Sequence, residues 1–237
     1  KILVTGPTGQ VALPTSHALA RENEVWGVAR FTDAAARKRL EAAGVHCVAA
    51  DLGAGDFREL PGDFDYVLNL AVAKSPDGDF EKDLRGNGEA AGLLMSHCRR
   101  AKAFLHCSTT GVYQAAGHHV FRESDALGDN HRSIMPTYSI AKIATEVVVR
   151  TMARELRLPT TIARLCVPYG DNGGWPWYHL LMMRGGAPIP VHVDRPSQYT
   201  LIHEDDIAAM VPGLLRAASV PATILNWAGQ EHVALEE

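Results

Sequence analysis

The sequence predicts an α/β fold on a doubly wound parallel sheet, and three observations lead there. Short apolar runs alternate with longer helical patterns along most of the 237 residues, the signature of βαβ units. The apolar runs show no polar alternation, as befits strands covered on both faces. The first run leads into a turn with glycines at 6 and 9 and then into a helical pattern.

The strands expected in chain order are Ile2–Thr5, Val25–Ala29, Val45–Ala49, Tyr66–Leu70, Ala103–Cys107, Thr160–Leu165 and Thr223–Asn226. Helices are expected over Gln10–Arg21, Ala34–Ala43, Asp79–Arg100, Thr137–Leu156 and Asp205–Ala218, with Pro14 early in the first. Two stretches break the rhythm: the polar, His-rich Gln114–Pro136, and Pro168–Pro196, rich in Gly, Pro and Trp. Segments of this length inside a compact domain are either binding loops or surface excursions.

Composition narrows the function. With 27 acidic against 23 basic residues the net charge is −4, which gives no electrostatic reason for a nucleic-acid or anionic-membrane partner. No apolar run is long enough to span a bilayer. Cys47, Cys98, Cys107 and Cys166 lie far apart with no C-x-x-C pair, so neither a zinc site nor a disulfide framework is expected. A reducing, cytoplasmic setting is the simplest reading, and no signal-peptide pattern opens the chain. The chain starts on a strand without Met, and Glu237 reads as the start of a new helix, so the expectation is of a longer functional protein.

The first turn carries chemistry. In Thr5-Gly6-Pro7-Thr8-Gly9-Gln10-Val11-Ala12, Gly6 permits the strand-to-helix turn and Gly9 lets a pyrophosphate approach the backbone. Ala12 allows close packing, and the helix start offers free N–H groups to phosphates. The context, after the first strand and opening a helix, is the one a dinucleotide fingerprint requires. Arg30 at the end of the second strand suits a 2′-phosphate and so NADP, though a solvated basic residue is the alternative. Asp51-Leu52 after the third strand suits the adenine amino group, or caps a turn.

Farther on, Tyr138 and Lys142 are one helical turn apart on the same face. A neighbouring ammonium favours a phenolate, so Lys142 is expected to lower the Tyr138 pKa from about 10. Tyr138 would then exchange a proton with a substrate hydroxyl or carbonyl while hydride moves to or from a nicotinamide. Upstream, Ser108-Thr109-Thr110 ends a strand at the edge where α/β enzymes place ligands.

Together these motifs resemble the extended branch of the short-chain dehydrogenase/reductases, the NAD-dependent epimerase/dehydratase family. T-G-x-x-G-x-x-A at Thr5–Ala12 matches its cofactor turn, and Asp51-Leu52 its adenine-side Asp. Asn69-Leu70-Ala71 matches its fourth-strand segment beside the cofactor, and Asn87 the Asn of its long helix. Ser108–Tyr113 resembles its S-[ST]-x-x-V-Y segment, which puts the catalytic hydroxyl on Thr109, and Tyr138 with Lys142 match its catalytic pair. Arg164–Gly170 and Ile202–Ala208 resemble two later segments.

The resemblance implies a Rossmann-type domain over 1–165 and, over 166–237, a small, possibly truncated C-terminal substrate lobe with the last sheet elements. It implies an NAD(P)-dependent oxidoreductase or epimerase with Thr109, Tyr138 and Lys142 as catalytic residues. The cofactor would be held by Gly6, Thr8, Gly9, Gln10, Arg30, Asp51, Leu52, Leu70, Ala71, Asn87, Tyr138 and Lys142. Arg30 makes NADP the preferred cofactor, with NAD the other choice. The partners are a small-molecule substrate and a second copy, since Asp79–Arg100 and Thr137–Leu156 resemble helices that pair in family dimers.

Val167 stands where many sugar-nucleotide members have Asn, and Tyr199 near where they carry Arg. Both weaken a sugar-nucleotide substrate without excluding it, and a nucleotide-sugar epimerase or dehydratase with tightly bound NAD stands as an alternative. His203 reads as structural, and no ligand spacing among the loop histidines (His118, His119, His131 and His179) supports a metal site. Trp175 and Trp177 line a pocket or anchor the lobe, two equal readings. The rival to an enzyme is a non-catalytic dinucleotide sensor on the same fold.

Overall fold

A computed structural model describes residues 1–191 and 193–236 of the chain. The expectation that the chain stops in the start of a new helix is not met over the described residues: His232–Ala234 form a strand, with a turn at 235–236, and Glu237 lies outside them.

Seven parallel strands form the main sheet: β1 (Ile2–Thr5), β2 (Val25–Ala29), β3 (His46–Ala49), β4 (Tyr66–Asn69), β5 (Ala103–Thr109), β6 (Thr160–Leu165) and β10 (Thr223–Trp227). Their order is β10-β6-β5-β4-β1-β2-β3, a doubly wound Rossmann arrangement that reverses between β1 and β4. Every residue of β1 and of β6 is buried, as the unbroken apolar runs predict. Two apolar layers cover the faces, one around Val4, Leu68 and Leu105, the other around Leu3, Val67 and Phe104. Successive side chains of a strand point to opposite faces, so one strand feeds both layers.

The connecting helices are α1 (Ala12–Ala20), α2 (Ala34–Ala42), α3 (Phe80–Leu84), α4 (Ala90–His97), α5 (Tyr138–Leu156) and α7 (Glu204–Arg216). Asp33 caps α2 through bonds from the Ala35 and Ala36 amides, and Asp79 caps α3 through the Lys82 amide. The helix start α1 has no side-chain cap. Pro14 falls in its first turn.

Two expectations need correction. The single helix over Asp79–Arg100 is interrupted by a π-helical stretch, Arg85–Glu89, between α3 and α4. The Pro168–Pro196 stretch is not plain loop: β7 (Val167–Gly170), β8 (Gly173–Gly174) and α6 (Trp175–Arg184) lie within or across it. With β9 (Gln198–His203) and β11 (His232–Ala234) these strands form a second sheet in the order β11-β9-β7-β8. This small lobe sits beyond the carboxyl end of β6.

Candidate active site

The sheet order reverses between β1 and β4, and a crevice opens at their carboxyl ends. Thr5 bridges the two strands there. Its hydroxyl donates to Asn69 Oδ1 at 2.9 Å and accepts from the Ala71 amide at 2.9 Å. Asn69 Nδ2 lies 3.2 Å from Nδ1 of His106, which is wholly buried and held neutral because burial pushes its pKa well down.

A cleft of about 1040 Å³ runs along this edge. Gly6, Thr8, Gly9, Gln10, Arg30, Asp51, Leu52, Leu70 and Ala71 line it, together with Thr109, Tyr138 and Lys142. Of the catalytic and cofactor-binding residues expected from sequence, Asn87 alone does not. Its amide brackets the loop after β4, accepting from the Ala73 amide at 3.0 Å and donating to the Ala73 carbonyl at 2.9 Å. A further bond runs to the Asp83 carbonyl at 2.7 Å. Asn87 therefore shapes the cleft wall from behind.

The glycine turn is built for close approach. Gly6 has φ +62°, and a Cβ there would lie 3.0 Å from Ala71 Cα. Among the described residues the amides of Gln10 and Val11 have no acceptor, and they open the uncapped helix α1.

The charges that face the cleft favour an anion. Arg30, Lys74, Lys82, Arg85 and Lys142 line it, against Asp33, Asp51 and Asp83. All three carboxylates already accept protein hydrogen bonds: Asp33 and Asp51 cap their own turns, and Asp83 takes the Thr137 hydroxyl at 2.6 Å. Asp51 thus does cap the next turn, through the Gly53 amide at 2.9 Å. This turn, uncapped helix start and cationic surplus fit a dinucleotide with its pyrophosphate.

Tyr138 is the first residue of α5, and Thr109 is the last of β5, so helix and strand meet at the two hydroxyls. The expected depression of the phenol is not what the structure shows. Burial pushes the Tyr138 pKa up to about 12, and a hydrogen bond with Thr109 acts in the lowering direction. The Lys142 ammonium instead donates to the Cys107 carbonyl at 2.9 Å, and burial pushes its own pKa down. One turn later Glu146, 2% exposed, accepts two bonds from Arg164 at 3.0 and 2.8 Å and one from the Ser108 hydroxyl at 2.5 Å. This buried pair locks α5 to β5 and β6 beneath the catalytic edge.

Sequence reasoning missed Lys74, whose Nζ lies 5.3 Å from the Tyr138 ring centre. Its place five residues after Asn69, just past a strand end, was the available signal. It also missed the Asp83–Thr137 bond, which nothing in local sequence announces. His203 caps α7 through a bond from the Asp205 amide. Trp175 and Trp177 are 48% and 47% exposed on α6, and neither lines the cleft. Among the described residues no cluster of His, Cys, Asp or Glu has metal-binding geometry, and no helix is long and apolar enough to cross a membrane.

A Rossmann sheet with a glycine turn and a Tyr-x-x-x-Lys helix at one cleft defines a dinucleotide-binding protein of the extended short-chain dehydrogenase/reductase class. The profile of the NAD dependent epimerase/dehydratase family matches residues 2–227, and the chain belongs to that family. Among curated proteins it is 26% identical over 172 residues to a trifunctional UDP-glucose 4,6-dehydratase/UDP-4-keto-6-deoxy-D-glucose 3,5-epimerase/UDP-4-keto-L-rhamnose-reductase of Arabidopsis thaliana. That match takes in 67% of this chain and 25% of the relative, so the chain spans about a quarter of that protein's length.

Among solved structures, the UDP-glucuronic acid 4-epimerase from Bacillus cereus, in complex with UDP-glucuronic acid and NAD, superposes with TM-score 0.82 at 22% identity. The alignment covers 99% of this chain and 79% of that one. A double mutant of the Streptomyces venezuelae dTDP-glucose 4,6-dehydratase with NAD bound gives TM-score 0.80 at 21% identity, covering 99% of this chain and 77% of that one.

Proposed function

We propose that the chain is an NAD(P)-dependent oxidoreductase or epimerase that acts on a hydroxyl or carbonyl substrate through Tyr138, Lys142 and Thr109. One observation carries this reading: the glycine turn and these three side chains line the same cleft. The neighbours' complexes with NAD support the cofactor class. A bound nicotinamide would supply the hydride acceptor or donor.

The chain's own residues supply the rest. Tyr138, with its proton held to about pH 12, is in the acid form at neutral pH and donates to a substrate carbonyl oxygen. The Thr109 hydroxyl, which already accepts from the Gly111 amide at 3.1 Å, orients that oxygen and steadies the phenol. Lys142 holds the strand end through Cys107 and offers its remaining donors to ribose hydroxyls. Gly6, Thr8, Gly9 and Gln10 take the pyrophosphate, Asp51 and Leu52 the adenine side, and Leu70, Ala71 and the Asn87-held loop the nicotinamide side. Residues 1–165 then serve as the dinucleotide domain, and 166–237 as the substrate lobe with the last sheet elements.

Arg30 favours NADP over NAD: it is exposed on the cleft wall after β2, and among the described residues no carboxylate pairs with it. The protein is also proposed to be a cytoplasmic homodimer. Its four free cysteines suit a reducing compartment, and exposed Leu93, Ile140 and Val147 on α4 and α5 suit helix pairing with a second copy.

The test is fluorescence titration of the purified protein with NADPH and NADH. We expect NADPH to bind at least tenfold tighter, and Arg30→Glu to reverse the order. Equal affinities, unchanged by Arg30→Glu, would remove the NADP reading. Absence of binding by either nucleotide would remove the enzyme reading itself.

A further inference from the structure

We propose that Asn172, at the tip of the β7–β8 hairpin, is a positioning residue for the phosphate-binding turn and couples the small lobe to dinucleotide affinity. The inference rests on the dinucleotide reading above. Strands β7 and β8 pair antiparallel with Tyr169 opposite Gly174 and Gly170 opposite Gly173, so Asp171 and Asn172 form a two-residue tip. The hairpin demands its glycines. Gly173 and Gly174 have φ +123° and +120°, and a Cβ on Gly174 would lie 2.5 Å from the Pro168 carbonyl oxygen.

The tip reaches across 163 residues of sequence to the first turn. Asn172 Nδ2 donates to the Gly9 carbonyl at 3.3 Å and to the Gln10 carbonyl at 3.1 Å. In return Gln10 Nε2 donates to the Pro168 carbonyl at 3.1 Å, at the other end of the same hairpin strand. From its far side the tip is held by Glu204, whose carboxylate accepts the Asn172 amide at 3.4 Å.

The chemistry of the turn makes this placement consequential. Anion binding at a helix start uses N–H groups that point at the ligand, and carbonyl oxygens turned toward phosphate would repel it. Asn172 engages the carbonyls of the two residues around which the turn passes into α1. By holding the Gln10 carbonyl, and by joining the Leu13 amide (2.9 Å) on the Gly9 carbonyl, it fixes the peptide planes that carry the N–H groups of Gln10 and Val11, two residues of the cleft lining. The same hairpin runs directly into α6, so a shift of the lobe moves the tip that fixes the turn. By reciprocity, dinucleotide binding steadies the lobe.

The experiment measures the Kd of NADPH and NADH for wild type, Asn172→Ala, Asn172→Asp and the neighbouring control Asp171→Ala. Hydrogen exchange is followed in the free proteins. Loss of two neutral hydrogen bonds should raise Kd about tenfold in Asn172→Ala. In Asn172→Asp a carboxylate would face two carbonyl oxygens beside the phosphate site, and Kd should rise further. Asp171→Ala should stay within about twofold of wild type. The Leu13 amide, bonded to the Gly9 carbonyl at 2.9 Å, should exchange faster in Asn172→Ala while those of β5 and β6 keep their protection, a local change that general loosening would not give. If wild type binds and Asn172→Ala and Asn172→Asp match it within twofold, the positioning role is wrong and the dinucleotide reading stands. If wild type binds neither nucleotide, both fall.

Discussion

Tyr138 shows how much of a reacting group's behaviour is set by its surroundings. Burial holds its proton to about pH 12, and the opposing influence is the Thr109 hydrogen bond, not the lysine one turn along the helix. The phenol therefore enters neutral solution as an acid, suited to give a proton to a carbonyl oxygen. Tyr138→Phe should cut turnover at least about a thousandfold on any carbonyl compound the wild type reduces, since the positioned acid is lost outright. Dinucleotide Kd should remain within about twofold, because the ring stays in place. A variant that kept a tenth of the wild-type rate would mean that another group carries the proton. The pair was legible in sequence from its four-residue spacing, which any helix converts into a shared face. The electrostatic consequence was not, because it depends on how deeply β5 and α5 bury the ring and on where the Lys142 ammonium finds its acceptor.

At the scale of elements, the π-helical stretch between α3 and α4 is where pattern and structure part. The apolar periodicity over Asp79–Arg100 looks continuous, but Asn87 turns inward to bracket Ala73, and the backbone widens to let it. Gly86 makes the approach possible: a Cβ there would lie 2.6 Å from the Ala73 Cβ. Gly86→Ala should force the stretch and the Ala71–Lys74 loop apart. We expect a stability loss of about 1–3 kcal/mol in urea unfolding and weaker dinucleotide binding. An unchanged midpoint together with unchanged binding would show that the loop yields freely. The main-sheet strands were readable because burial on both faces leaves an unbroken apolar run. The second sheet was not: β9 begins Gln-Tyr-Thr with its first two residues exposed, and its partner β7 lies some thirty residues upstream. Helix α6 has no buried residue, so no apolar face marks its period. The Asn172 contacts join positions that local sequence treats as unrelated.

For the whole molecule, the buried titratable groups set a pH window for stability. Cys98 is wholly buried at the end of α4, and burial raises its pKa to about 12; burial, then Glu41, raises Cys47 on β3 to about 11. With Tyr138 these groups hold their protons in the folded state after an unfolded chain has lost them. Their contribution is complete below about pH 9 and is lost as the pH rises toward 12. Lys102, raised by its bond to Asp65, acts in the same direction, whereas Lys142, lowered by burial, acts in the opposite one. On the acid side His106 is buried and neutral, so an unfolded chain gains a proton that the folded one refuses below about pH 6.5. Stability should peak between about pH 7 and 9. Urea unfolding under reducing conditions at pH 5, 6, 8, 9, 10 and 11 checks the shape. Cys98→Ala isolates one group, because it removes a slope of up to about 1.4 kcal/mol per pH unit above pH 9, whatever it costs in packing at neutral pH. If wild type and Cys98→Ala fell in parallel from pH 9 to 11, the thiol would not be held protonated by the fold, and the alkaline limb would belong to Cys47, Tyr138 and Lys102.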